Sequence, residues 1–189
     1  LREHHLRETR PTSAGLAWVA REWPHLLDAW RTVAAVRRVD LWEPLSEAVA
    51  LHAEITAQYR QGSAWLELPP EVRSACGVHA IEPAHVDLLR ARLLHWVEGE
   101  RALELLAGAE PAFTRAGDID GQISALRLRG VVQWRRGDAP RAALTLQTAL
   151  DLGQQHGHLR WRAILLDGLG LALEAQGSYE AAQASWLEA

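Results

Sequence analysis

The chain has 189 residues, 48% hydrophobic and 23% charged, with net charge -4 and an isoelectric point near 6.1. That is globular composition, which excludes a disordered chain. The acidic balance gives no basic field to draw this segment onto nucleic acid, and no apolar run reaches the ~20 residues that span a bilayer.

The opening "LREHHLRETRPTS" is polar and carries no signal-peptide pattern. One cysteine, Cys76, cannot close an internal disulfide, which points to a reducing cytoplasm. All 20 basic residues are arginine, and Lys, Asn and Met are missing, the residue usage of a GC-rich genome. The chain starts at Leu1 and stops inside a helical pattern, so it is expected to be a piece of a larger protein.

In chain order, "TSAGLAWVAREW" predicts a short helix capped by Thr12 or Ser13. Pro24 suits the first turn of a second helix running to about Arg38. Asp40 is expected to cap a long helix, with Pro44 near its start, continuing to Tyr59 and stopped by Gly62. Ser63 opens another, interrupted at Pro69-Pro70, and "EVRSACGVHAIEP" reads as a short helix and a loop. No alternating valine-rich segment asks to be a strand.

From residue 80 onward the chain repeats itself. "GVVQWRRGDAPRAALTLQTAL" (130–150) and "GLALEAQGSYEAAQASWLEA" (170–189) align without a gap: Gly130 with Gly170, Gly137 with Gly177, Ala142 with Ala182, Leu146 with Trp186. A third copy precedes them, with Trp96 three before Gly99 as Trp134 is three before Gly137, a period of about 38. Within a copy, Ile164, Leu165, Leu169 and Leu173 mark one helix face. Gly177 breaks that helix and Ser178 suits the next N-cap; Gly137, Asp138 and Pro140 do the same one copy earlier. Gly130 and Gly170 lie mid-helix, where glycine costs ~1 kcal/mol against Ala, so a close approach by Leu146 and Trp186 is expected to compensate. If buried, Trp186→Ala would cost ~3–5 kcal/mol.

Leu166-x2-Leu169-Gly170-x2-Leu173 followed by Ala182-x3-Trp186 resembles the tetratricopeptide repeat. The middle copy keeps Leu126, Gly130, Ala142 and Leu146 but has Arg129 and Gln133 at two apolar slots, and the copy before it has Arg92 at the glycine slot. The period near 40, "REWPHLLDAW" (21–30) and "YRQGSAWLE" (59–67) resemble the helical-repeat regions of bacterial multidomain signalling ATPases and large LuxR-type transcription activators. That resemblance implies an all-α, right-handed tetratricopeptide-like α-solenoid of antiparallel helix pairs, with about nine to eleven helices. Residues 1–79 would form an N-terminal helical region with a degenerate first repeat, and 80–189 three repeats (about 82–117, 119–157 and 159–189, the last cut short). The implied role is a non-catalytic sensor module, cytoplasmic and bacterial, that recognises a protein or peptide or a small-molecule inducer. A free-standing scaffold for protein–protein contact is the alternative.

Chemistry-bearing motifs are few. With no lysine, the chain has no phosphate loop ending in Lys-Ser/Thr. His4-His5, Cys76-x2-His79 with His85, and His156-x-His158 offer two or three metal ligands each, short of a zinc site, so no metal and no cofactor is expected. Cys76 lacks the base and orienting group of a nucleophile. Glu43 and Glu47, or Glu98 and Glu100, read as solvated helix faces.

Nine tryptophans are the unusual feature, and most should be core. Arg127, Val131 and Trp134 form one helix stripe, Arg135 lies next to it, and Trp96 and Glu174 take equivalent slots in neighbouring copies. On the concave side of a tetratricopeptide stack these would line a groove for an extended peptide; the competing reading puts both Trp96 and Trp134 in the seams between repeats. The second helix that ends at Ala189, with no capping helix after it, predicts a sticky face that a second copy would cover as a homodimer.

Overall fold

The computed structural model describes residues 13–77 and 80–189, with side chains from Arg21 onward. Ten α-helices follow in order: α1 (Ser13–Ala35), α2 (Trp42–Ile55), α3 (Tyr59–Trp65), α4 (Pro70–Cys76), α5 (Ile81–Leu94), α6 (Gly99–Ala116), α7 (Ile119–Arg135), α8 (Ala139–Gln155), α9 (Arg162–Ala175) and α10 (Tyr179–Glu188). Short 3-10 turns at Val39–Leu41 and Leu159–Trp161 lead into α2 and α9. The described residues contain no strand and no helix long and apolar enough to cross a membrane. The protein is all-α.

The N-terminal third departs from the sequence expectations. Pro24 does not start a helix; it lies within α1. Its ring is exposed, and buried Trp30 and Ala34 beyond it hold the helix to the core. Asp40 does not cap a helix. It sits in the 3-10 turn and takes two hydrogen bonds from Arg38, at 2.9 and 2.7 Å. The long helix to Tyr59 is two helices, because Ala57 turns the backbone at φ 54. Gly62 does not stop a helix; it lies inside α3, where a Cβ would come 2.2 Å from the Ala53 Cβ. The glycine lets α3 lie directly on α2.

These turns expose a strict register. Residues with positive φ occur at Arg37, Ala57, Gly77, Gly117, Gly137, Gly157 and Gly177, all on one 20-residue grid. The N-caps of α3, α6, α8 and α10 are Gln58, Glu98, Asp138 and Ser178, each 40 after the last. The same spacing relates small residues Gly62, Ala102, Ala142 and Ala182, and bulky ones Leu66, Leu106, Leu146 and Trp186. The 40-residue unit is thus written four times, once before residue 80.

The copy containing Trp96 also keeps a period of 40, not about 38. The grid position there is Val97, which has no positive φ; its turn closes with Val97 and Glu98 N–H both donating to the Leu94 carbonyl. Gly99 is consequently the first residue of α6 rather than the turn glycine. Arg90, not Arg92, stands where Gly130 stands in the next copy. Asp118 and Asp138 cap α7 and α8 by accepting from the N–H of Gly121 and Arg141, whereas the Ser178 side chain makes no cap bond.

The core comprises three successive apolar clusters. The first gathers Trp30, Trp42, Val49, Leu66 and Leu93; the second Leu94, Leu106, Phe113, Leu128 and Val132; the third Ile123, Leu146, Leu150, Leu165 and Leu169. Each straddles neighbouring helices, with α6 on α5 and α7, and α9 on α8 and α10. Gly130 admits Leu146, whose Cγ lies 2.6 Å from where a Cβ would be, and Gly170 admits the Trp186 ring at 2.3 Å on the same measure. Leu146 is 1% exposed but Trp186 is 39%, so the burial on which a cost of ~3–5 kcal/mol depended is absent at Trp186.

Candidate functional site

The six residues expected to line a groove separate into three groups. Trp96 does not sit in a first helix at the slot of Trp134; it lies in the turn after α5 and is 55% exposed. At a period of 40, Leu94 is the counterpart of Trp134. Trp134 is half-buried within α7 and packs on the third cluster with Leu126 and Trp161. Trp134 thus packs on a core cluster, whereas Trp96 is exposed. Glu174 is exposed near the end of α9, and its side chain makes no hydrogen bond or ion pair among the described residues. Val131 is half-buried on α7.

Trp96 and Arg135 meet where the turn after α5 lies beside the end of α7, and the charge of Arg127 is felt at the adjacent His95. The Arg135 guanidinium stacks 4.2 Å over the Trp96 ring and donates to the His95 carbonyl at 2.8 Å, so the turn after α5 is tied to the end of α7. The His95 ring tilts against Trp96 at 4.8 Å and its Nδ1–H donates to the Arg92 carbonyl. Burial, with the charges of Arg127, Arg135 and Arg92, pushes the His95 imidazole below its usual range despite that bond, leaving it neutral at pH 7.

Arg92 and Arg127 present opposite cases. Arg92 donates to Glu54 at 2.9 Å and Glu47 at 3.1 Å, bridging α5 to α2. Burial disfavours its cation, but the two carboxylates outweigh that and hold it above the ordinary arginine value. Arg127 is half-buried, its Nε is covered, and no acceptor among the described residues receives it. Burial and then the Arg92 charge pull Arg127 below its ordinary value.

Sequence reasoning missed Arg92, His95, Glu47 and Glu54. The wrong period hid them: shifted by two, Arg92 looked like a misplaced glycine. Glu47 and Glu54, seven apart on α2, form one stripe, which could have signalled a shared partner.

Two other clusters have structural roles. Asp120 in the first turn of α7 accepts from the Trp161 Nε1–H and His158 Nδ1, both at 2.8 Å, and pairs with Arg160 at 2.5 Å. Burial opposes its charge, yet those three donors hold its carboxyl down at about 2. Around Arg90, Ser63 O, Glu67 and Asp87 form a balanced ionic web with Arg73. Of the histidine clusters, His4, His5 and His79 lie outside the described residues, and His158 serves Asp120. The described residues hold no group of three or more potential metal ligands.

Comparison of the chain with family models, curated proteins and solved structures returned no match.

Proposed function

We propose that the chain is a non-catalytic recognition module, a right-handed tetratricopeptide-like stack whose first helices α2, α5, α7 and α9 present a binding face. Support for the stack comes from the 40-residue register of turns and caps and from the three successive clusters. The observation that carries the binding role is the exposed Trp96 beneath Arg135, with the charge of the unpartnered Arg127 felt at the adjacent His95. An exposed aromatic in a turn, held in place by a cation from a neighbouring helix, is the kind of anchor that binding surfaces use. In a bacterial signalling or transcription regulator, such a module would sense a partner segment or an inducer. A free-standing scaffold would use the same face, and the neighbouring domains of the full-length protein would separate the two.

Two measurements test this. A compact chain of 189 residues has a radius of gyration of about 16 Å; scattering should give a clearly larger value, and 16 Å would sink the stack. Peptide arrays and metabolite sets screened by thermal shift should give hits that W96A/R135A abolishes. Hits that survive the double substitution, or that protect only α6, α8 and α10 from hydrogen exchange, would place recognition elsewhere.

A further inference from the structure

α5 and α7 carry five arginines between them, and four are satisfied. Arg90 donates to Ser63 O and pairs with Glu67 and Asp87; Arg92 pairs with Glu47 and Glu54; Arg129 pairs with Glu110; Arg135 donates to His95 O. Arg127 alone has no hydrogen bond or ion pair among the described residues, although its Nε is covered by protein. Its Nε is shut away from water with no acceptor, which is unfavourable, while the residue as a whole is half-buried and its terminal nitrogens stay open to an acceptor. The neighbouring charge felt at Arg127 is that of Arg92 on α5, which repels it, and Arg92 already holds both Glu47 and Glu54 of α2.

On this basis, which rests on the reading of the α5–α7 face as the binding face, we infer that Arg127 receives an oxyanion, a phosphate or carboxylate group of a small ligand, with Arg135 at the rim. The planar fork of the guanidinium matches such groups and no halide does so as well. Arg135, exposed and held against Trp96, lies eight residues further along α7, about 12 Å by helix rise, and supplies a second cation for a ligand long enough to span the two.

The test compares the wild type with R127M, using inorganic phosphate and succinate against chloride at matched ionic strength. In chloride alone, R127M should melt about 2–4 °C higher, because an unpaired charge has been replaced by an apolar chain of similar length. Phosphate or succinate should raise the wild-type Tm and leave R127M unmoved, with at least a tenfold loss of affinity by calorimetry. Whichever anion acts identifies the source, phosphoryl or carboxylate. R127M that melts lower or fails to fold would show Arg127 to be a structural element and overturn the inference, as would equal stabilisation of both proteins. Trp96 emission, assigned with W96F, should change with the active anion. If ligands from the screens still bind this face while R127M binds them as tightly as wild type, the inference falls and the binding face stands.

Discussion

In the N-terminal third, helices close around tryptophan. Trp30 is 1% exposed, its ring meets Trp42 edge-on at 6.2 Å, and its Nε1–H donates to the Trp65 carbonyl at 2.9 Å. Trp42 in turn donates to the Val33 carbonyl, and Trp23 stacks on His52 at 3.7 Å. From α7 onward the same contacts are made by glycine against one bulky side chain, Gly130 with Leu146 and Gly170 with Trp186. Indoles span wide gaps and direct their own hydrogen bonds, so they tolerate the short α3 and α4 and the proline inside α1. Glycine contacts need backbones at close, reproducible distance, and the helices there are long and evenly phased.

The largest effect should come from Trp30→Ala. It removes a fully buried ring and orphans the Trp65 carbonyl, costing about 3–5 kcal/mol in chemical denaturation; a loss under about 2 would dissolve the contrast. Leu146→Ala should cost about 2–5 kcal/mol, because Gly130 opposite cannot fill the space.

The Asp120 clasp between α7 and the turn before α9 sharpens the comparison by pH. Its carboxyl is lowered from 3.8 to about 2, so its stabilisation is complete above pH 4 and lost as pH falls toward 2. The term is about 2 kcal/mol. Asp120→Asn should lose less stability than wild type across that window, and parallel curves would refute the clasp. Trp186→Ala, at a ring 39% exposed, should cost under about 2 kcal/mol. Smallest and opposite in sign, Gly108→Ala meets nothing within 4 Å and should stabilise α6 by about 0.5–1 kcal/mol.

Helical class, the glycine turns at 137 and 177, and the Gly130–Leu146 and Gly170–Trp186 pairings could be read from residue type because glycine and proline leave explicit marks. The first copy of the unit could not, since Arg37 and Ala57 occupy its positive-φ corners and carry no such mark. Of the candidate site, Arg127, Arg135 and Trp96 were legible as a stripe and its neighbours. The Arg92 bridge to Glu47 and Glu54 was not, because it depends on a register that Val97 conceals.

In the proposed stack, the evenly spaced corners would also make the chain editable. Gly117 and Gly157 occupy like positions, so splicing residue 117 directly to 158 removes one whole period and joins like to like. Such a shortened protein should still melt cooperatively, whereas excising 30 residues from the same stretch would leave every later helix facing the wrong way.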